Sequence, residues 1–142
     1  MRRRADPKKA ASSQRYFKEP VELHGVETAA ARLMVKELVD WTGSPNMWLR
    51  RGATVAFVPL ARRGQHPETT NEICSRLFGD HEDLTHKAVG WLLREAGETD
   101  MPRLERFLRA QGARMPRTSV RYAIERFPTA KRKRLLGAAR GA

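Results

Sequence analysis

Two stretches of the sequence place a tryptophan three residues before an arginine. They are Trp48-Leu49-Arg50-Arg51 and Trp91-Leu92-Leu93-Arg94. Side chains at this spacing share one face of an α-helix, and Lys87, four residues before Trp91, joins the second face. A guanidinium group can hold a phosphate with two parallel hydrogen bonds, and an indole ring offers a π-face. The pattern therefore favours a partner that contains phosphate.

A structural interpretation of both tryptophans is also available. Each ring could belong to the hydrophobic core, with its arginine reaching out to water from the rim. We predict the core position for Trp48. We predict the binding position for Trp91, because Lys87 flanks it and Gly90 would leave room beside the ring.

Charge is distributed unevenly along the chain of 142 residues, whose formal net charge is +12. Residues 1–18 carry seven basic and one acidic side chain, residues 19–101 nine and thirteen, and residues 102–142 twelve and two. Basic charge at both ends predicts a nucleic-acid partner, although the ends could also be solvated tails. We accordingly predict basic tails at residues 1–13 and 129–142 around one domain at residues 14–128.

Several classes of site are excluded by residue content. The single cysteine, Cys74, rules out a disulfide framework and a Cys-x-x-Cys metal site, and the four histidines have no ligand-like spacing with it. We expect neither a metal nor a cofactor. No apolar run approaches the ~20 residues of a membrane span, and polar residues follow the basic start. A cytoplasmic location is expected, associated with the nucleoid if the source is bacterial.

Helical patterns cover almost the whole chain, and no segment alternates as a strand does. Ser44 is the predicted N-cap of a helix with Pro45 in its first turn, and Pro59 is predicted to end it. The predicted helices run from Ala29 to about Trp41, Asn46 to about Val58, Thr70 to Phe78, Asp80 or Asp83 to about Ala96, Arg103 to Ala110, and Ser119 to Phe127. The fold class is therefore all-α.

An internal repeat refines this fold class. The pattern Trp-Leu-x-Arg-x-Ala occurs at Trp48 and again 43 residues later at Trp91. Helical-hairpin repeats of the HEAT type have periods of ~40–47 residues. We predict a HEAT-like (ARM-type) solenoid of three to four hairpins with a basic concave surface. A helix-turn-helix regulator is the non-enzymatic rival, but no recognition helix stands out.

The two tryptophan helices resemble a known family. Asn46-Met47-Trp48-Leu49-Arg50-Arg51 and Lys87-Ala88-Val89-Gly90-Trp91-Leu92-Leu93-Arg94-Glu95 are similar to two signature helices of the HEAT-like-repeat DNA alkylation repair enzymes, the AlkD-type alkylpurine DNA glycosylases. Tyr16-Phe17-Lys18 with Gly25-Val26 resembles the family's opening segment, and Thr118–Phe127 its last signature helix, with Arg121-Tyr122-Ala123 in place of the usual Arg-Glu-Ala. The resemblance spans about residues 14–127.

The resemblance implies cleavage of the N-glycosidic bond of N3- or N7-alkylated purines. It assigns Trp91 to the lesion, Arg51 to a nearby phosphate and Tyr16 to the DNA. The family's second tryptophan and its aspartate, in a Trp-Asp-x-x-Asp segment, have no match here, as if roughly two repeats were missing. Asp40, beside Trp41, is the candidate substitute carboxylate.

These expectations combine into one function and one alternative. The expected function is repair of alkylated double-stranded DNA by a DNA glycosylase that uses no cofactor. Further DNA contacts are expected from Lys87, Arg94 and Arg50. The alternative is a non-catalytic DNA-binding module that has lost the catalytic carboxylate. Either could act as a monomer or as a homodimer. A carboxylate within reach of Trp91 on the concave surface would distinguish the glycosylase from the non-catalytic module.

Overall fold

The computed structural model describes the backbone of residues 20–139 and the side chains of residues 29–139. The chain divides into two units, Met1–Val35 and Lys36–Ala142. The described residues of the first unit form only the beginning of a helix, and all other described elements belong to the second unit. Tyr16 and the predicted N-terminal basic tail, residues 1–13, lie outside the described residues.

The described part of the chain is helical throughout and contains no strand, which confirms the predicted all-α class. Its seven α-helices are α1 (Pro20–Trp41), α2 (Met47–Arg62), α3 (Pro67–Arg76), α4 (Asp83–Gly97), α5 (Met101–Gln111), α6 (Arg117–Ala123) and α7 (Thr129–Ala138), with a 3-10 turn at Gly112–Arg114. None of the described helices combines the length and the apolar character needed to cross a bilayer.

Helix α2 begins and ends later than predicted. Its N-cap is Asn46, whose side chain accepts a hydrogen bond from the Trp48 amide at 2.9 Å, and Ser44 instead accepts one from the Asn46 amide at 3.1 Å. Pro59 lies inside the helix. The missing N–H costs one hydrogen bond, but the next turn stays helical because Ala61 is buried and Arg62 is held by an ion pair with Glu95.

Helices α2, α4 and α6 form one layer, with α4 in the middle. Arg62 at the end of α2 pairs with Glu95 near the end of α4, so these two helices run in the same direction. Ser119 Oγ, in α6, donates to the carbonyl of His86, in α4, at 2.8 Å, and Arg94 pairs with Glu125 just after α6. Helix α6 is therefore also parallel to α4.

Parallel neighbours need a returning segment between them, and α3 and α5 provide it. Helix α3 packs on α2 and α4, and α5 packs on α4. Both helices therefore cover one face of the layer that α2, α4 and α6 form. The core between them is apolar and fully buried: Phe57, Ile73, Leu77, Val89, Leu92, Leu93 and Val120. Cys74 is buried there as well, and burial raises the pKa of its thiol. This arrangement is that of a helical-hairpin solenoid.

Residues 129–138, predicted as the start of a basic tail, form helix α7. Leu135 is buried, and Lys131 Nζ lies 2.6 Å from Glu105 Oε2, in α5, and 5.8 Å from the centre of the Phe127 ring. The run of basic residues indicated a solvated tail, but it contains the buried Leu135 and the ion-paired Lys131. The folded part therefore extends past the predicted boundary at residue 128.

Candidate nucleic-acid interface

A groove of about 260 Å³ lies across the layer formed by α2, α4 and α6. We name it the Trp91 groove, and its lining residues are Arg51, Leu84, Lys87, Ala88, Trp91, Arg94 and Tyr122. Four side chains predicted from the sequence as a binding set therefore meet in one place. They come from two helices whose signature segments are 43 residues apart, and the parallel packing of α2 and α4 brings them together.

Trp91 is half-buried in α4, and its ring is anchored at one edge. Its Nε1–H donates a hydrogen bond to Glu95 Oε1 at 3.2 Å, one helical turn further on. The ring therefore has a fixed edge and still contributes to the wall of the groove. A fixed aromatic wall loses little conformational entropy when it contacts a ligand.

Glu95 is a carboxylate behind Trp91 that our sequence reasoning missed. It is 4% exposed, and Arg62 Nε donates to its Oε2 at 2.9 Å, while Arg126 lies 3.5 Å from its Oε1. Burial by itself would raise the pKa of Glu95, but the hydrogen bond and charge of Arg62 and the charge of Arg126 outweigh burial and lower it. Glu95 is thus ionised at neutral pH. The four-residue spacing from Trp91 was the available signal.

Arg51 is a groove cation to which the described part of the chain offers no counter-charge. Its Nε is buried without a hydrogen-bond partner, and no carboxylate in the described part of the chain pairs with its guanidinium group. Lys87, in contrast, pairs with Asp83 at 2.9 Å, and this hydrogen bond raises the pKa of Lys87. A buried donor without a partner is costly, so Arg51 is predisposed to bind an anion.

Arg94 has partners on two sides. One of its terminal nitrogens pairs with Glu125, and the other lies 3.7 Å from Glu95 Oε1. Its Nε is buried without a hydrogen-bond partner among the described residues. The guanidinium group therefore joins α4 to the end of α6 and lines the groove with most of its charge compensated.

Tyr122 adds a second aromatic side chain that sequence reasoning had not placed in the site. It is 38% exposed, and α6 presents it next to Gly90. The expectation that Gly90 leaves free room beside Trp91 is wrong. A Cβ built on Gly90 would lie 2.5 Å from Tyr122 Cβ and 2.6 Å from the Ser119 carbonyl oxygen, so α6 already fills that space. The glycine permits this close approach of two helices.

Comparison with known proteins adds a decisive observation to this geometry. The sequence model of the DNA alkylation repair enzyme family matches residues 1–40 and 35–127. The chain belongs to the DNA alkylation repair enzyme family. The predicted family membership is confirmed, and both tryptophan helices, α2 and α4, lie within the second matched segment. No curated protein and no solved structure gives a significant match to the chain.

Three residues that the resemblance or the repeat pattern singled out lie apart from the Trp91 groove of this family member. Arg50 donates from Nε to Asp80 Oδ2 at 2.6 Å and from a terminal nitrogen to the carbonyls of Ser44 and Pro45. It joins the loops that precede α2 and α4. Asp40 is exposed on α1, where it pairs with Lys36 at 2.9 Å, and it does not line the groove.

Trp48 is 61% exposed, so the predicted core position is wrong. It lies in the first turn of α2, nine residues before the fully buried Phe57. At 100° per residue, nine residues correspond to half a revolution of the helix, so the two rings point to opposite sides. Among the described residues there is no cluster of His, Cys, Asp and Glu side chains that could hold a metal.

Proposed function

We propose that this chain binds double-stranded DNA along the Trp91 groove and excises N3- or N7-alkylated purines. The observation that carries the proposal is the meeting of Trp91 and Arg51 in one groove: a π-face fixed by a buried carboxylate, next to a guanidinium group that has no counter-charge among the described residues. Membership of the DNA alkylation repair enzyme family supports the same function. A role on chromosomal DNA in turn supports a cytoplasmic location.

The chemistry demands little acid catalysis from the protein. Alkylation at N3 or N7 gives the purine a positive charge, so the base leaves as a neutral molecule when the bond from C1′ of the sugar to the base nitrogen breaks. A water oxygen then bonds to C1′, and its proton passes to solvent. The main requirement is stabilisation of the positive charge that develops on the sugar in the transition state.

Trp91 can provide that stabilisation through its π-face. A cation over an indole ring gains up to about 2 kcal/mol when the contact is desolvated. The hydrogen bond from Nε1–H to the ionised Glu95 adds electron density to the ring, because hydrogen-bonded groups polarise one another. Tyr122 lines the same groove and presents a second aromatic side chain. In this proposal Glu95 acts through the indole, since it does not itself line the groove.

The proposal is tested by release of free 7-methylguanine and 3-methyladenine from methylated duplex DNA. The purified protein should release both bases faster than the same DNA incubated without protein, which controls for spontaneous loss. No release above that background, together with salt-sensitive binding of duplex DNA, would contradict excision. The chain would then act as a non-catalytic DNA-binding member of the family.

Replacing Arg51 by alanine should weaken binding to damaged and undamaged duplexes alike. Loss of one phosphate contact is expected to reduce the slope of log K against log salt concentration by about 0.9. Fluorescence anisotropy with a labelled duplex over a salt series measures this slope. An unchanged slope would remove Arg51 from the phosphate contact.

The neighbouring arginine provides the matched control. Arg50→Ala removes the same charge but leaves the Asp80 carboxylate, which is 1% exposed, without its partner. We expect this variant to lose on the order of 2 kcal/mol of unfolding free energy, because a buried charge is left unpaired. Its salt slope should stay within experimental error of the wild type when measured below its melting temperature.

A further inference from the structure

A second groove lies on the other side of α6, between α6 and α7, and it has a volume of about 280 Å³. Its lining residues are Arg121, Ile124, Thr129, Arg132, Lys133 and Leu136. Three of the six are cationic and none is acidic. We name it the α6–α7 groove.

The cations of this groove have no carboxylate partner within residues 29–139. Among the residues that the structure describes, Arg121 and Lys133 make no ion pair, and Arg132 donates only to the Thr129 hydroxyl, at 3.2 Å. Six other arginines of the second unit behave differently. Arg62, Arg76, Arg94, Arg103, Arg109 and Arg126 each pair with a glutamate. The α6–α7 groove therefore concentrates positive charge that the fold leaves uncompensated.

The position of this charge is determined by the packing of α7. Lys131 pairs with Glu105 of α5, and Leu135 is buried, so these two side chains anchor α7 to the rest of the fold. The two residues after Lys131 then lie along the groove toward α6. Because these cations stand on a docked helix, they have a defined place relative to Arg121.

The α6–α7 groove and the Trp91 groove flank the same helix. Tyr122 lines the Trp91 groove and Arg121, the residue before it, lines the α6–α7 groove. Neighbouring helices pack with axes ~8–10 Å apart, so the two grooves are separated by roughly 10 Å. A separation of this size is short compared with a bound duplex, so one DNA strand could contact both grooves.

We propose that the α6–α7 groove binds the phosphate backbone of the duplex whose lesion lies at Trp91, close to that lesion. The inference rests on the proposed DNA binding of the Trp91 groove and extends its footprint to α7. The contact carries affinity and register, because phosphate contacts position a protein without reading bases. The apolar floor formed by Ile124 and Leu136 supports the stems of the cationic side chains.

The test compares two double variants that remove equal charge. Arg121→Gln with Lys133→Gln empties the α6–α7 groove of its two unpaired cations. Arg76→Gln with Arg109→Gln is the control, because each of these arginines pairs with a glutamate on its own helix, Glu72 or Glu105. Binding of an undamaged labelled duplex is measured by anisotropy over a salt series, and folding is checked by thermal denaturation.

The groove variant should lose about 1.8 from the salt slope, or about 0.9 for each phosphate contact, and bind on the order of 60-fold more weakly at about 100 mM salt. The control variant should keep the wild-type slope to within about half a unit. Excision at saturating protein concentration should persist in the groove variant, since the reacting groups are at Trp91.

The outcomes separate this inference from the proposed function. If the wild type binds DNA and the groove variant keeps the same slope, the α6–α7 groove faces some other partner, such as an acidic protein, and the inference is overturned while the proposed function stands. Equal losses in the groove and control variants would also overturn it, because net charge alone would then explain the effect. A wild type without salt-dependent DNA binding would overturn both.

Discussion

Replacing Gly90 by alanine is expected to destabilise the protein by about 1–3 kcal/mol, although alanine is the better helix former. The new methyl group would lie 2.5 Å from Tyr122 Cβ and 2.6 Å from the Ser119 carbonyl oxygen. One of these atoms is backbone and the other is attached to it, so neither can move away by a rotamer change. Thermal denaturation should show a melting temperature lower by roughly 5–10 °C.

Gly137 provides the control for this prediction. It lies inside α7, and a Cβ built on it would have no atom within 4 Å. Gly137→Ala should therefore stabilise the protein by about 0.5–1 kcal/mol through helix propensity alone. Two identical substitutions with effects of opposite sign would support the close α4–α6 contact. A melting temperature that rises in both variants would show that α6 does not pack so tightly on Gly90.

Replacing Trp91 by alanine should abolish the preference for alkylated over undamaged DNA and lower excision on the order of 30-fold or more. That factor corresponds to the ~2 kcal/mol of a desolvated cation–π contact. Binding of undamaged duplex should remain mostly intact, because Arg51 and the α6–α7 groove carry the phosphate contacts in our proposal. The measurements are base release from methylated duplex and anisotropy with matched damaged and undamaged duplexes.

Trp91→Phe separates the roles of the ring and of its hydrogen bond. Phenylalanine keeps a π-face but cannot donate to Glu95, so this variant should retain part of the excision that Trp91→Ala loses. Thermal denaturation of both variants shows whether they remain folded. Full excision activity in folded Trp91→Ala protein would contradict the assignment of the indole to the lesion. Loss of folding in both variants would mean that Trp91 is a core residue.

Local sequence patterns were sufficient to predict helices α1 to α6 but not α7, whose residues were predicted as a basic tail. Proline, glycine and capping residues predicted the ends of α2 to within a few residues, as the outcome at Asn46 and Pro59 shows, whereas α1 begins at Pro20, nine residues before its predicted start at Ala29. A cap is chosen by a competition among adjacent polar residues, and a proline costs only one hydrogen bond. Tertiary contacts decide both which residue caps α2 and whether α2 continues past Pro59.

The candidate site was only partly predictable. The spacing of Trp91, Lys87 and Arg94 determines that they share a face of α4, because the helical period depends only on the backbone. The helical period could not predict which arginines form ion pairs with carboxylates. Arg50 and Arg51 are adjacent in sequence, yet Arg50 meets a carboxylate 30 residues away and Arg51 meets none in the described part of the chain.

The sequence by itself determined the all-α class, the shared tryptophan–arginine faces and the resemblance to the DNA alkylation repair enzymes. These features depend on residues that are neighbours along the chain or on one helix. Only the tertiary structure decided that Arg62 and Arg126 surround Glu95, that Tyr122 joins the groove and that Arg51 meets no carboxylate in the described part of the chain. Each of these facts depends on how parallel helices pack, and the space left by Gly90 sets the closest of those contacts.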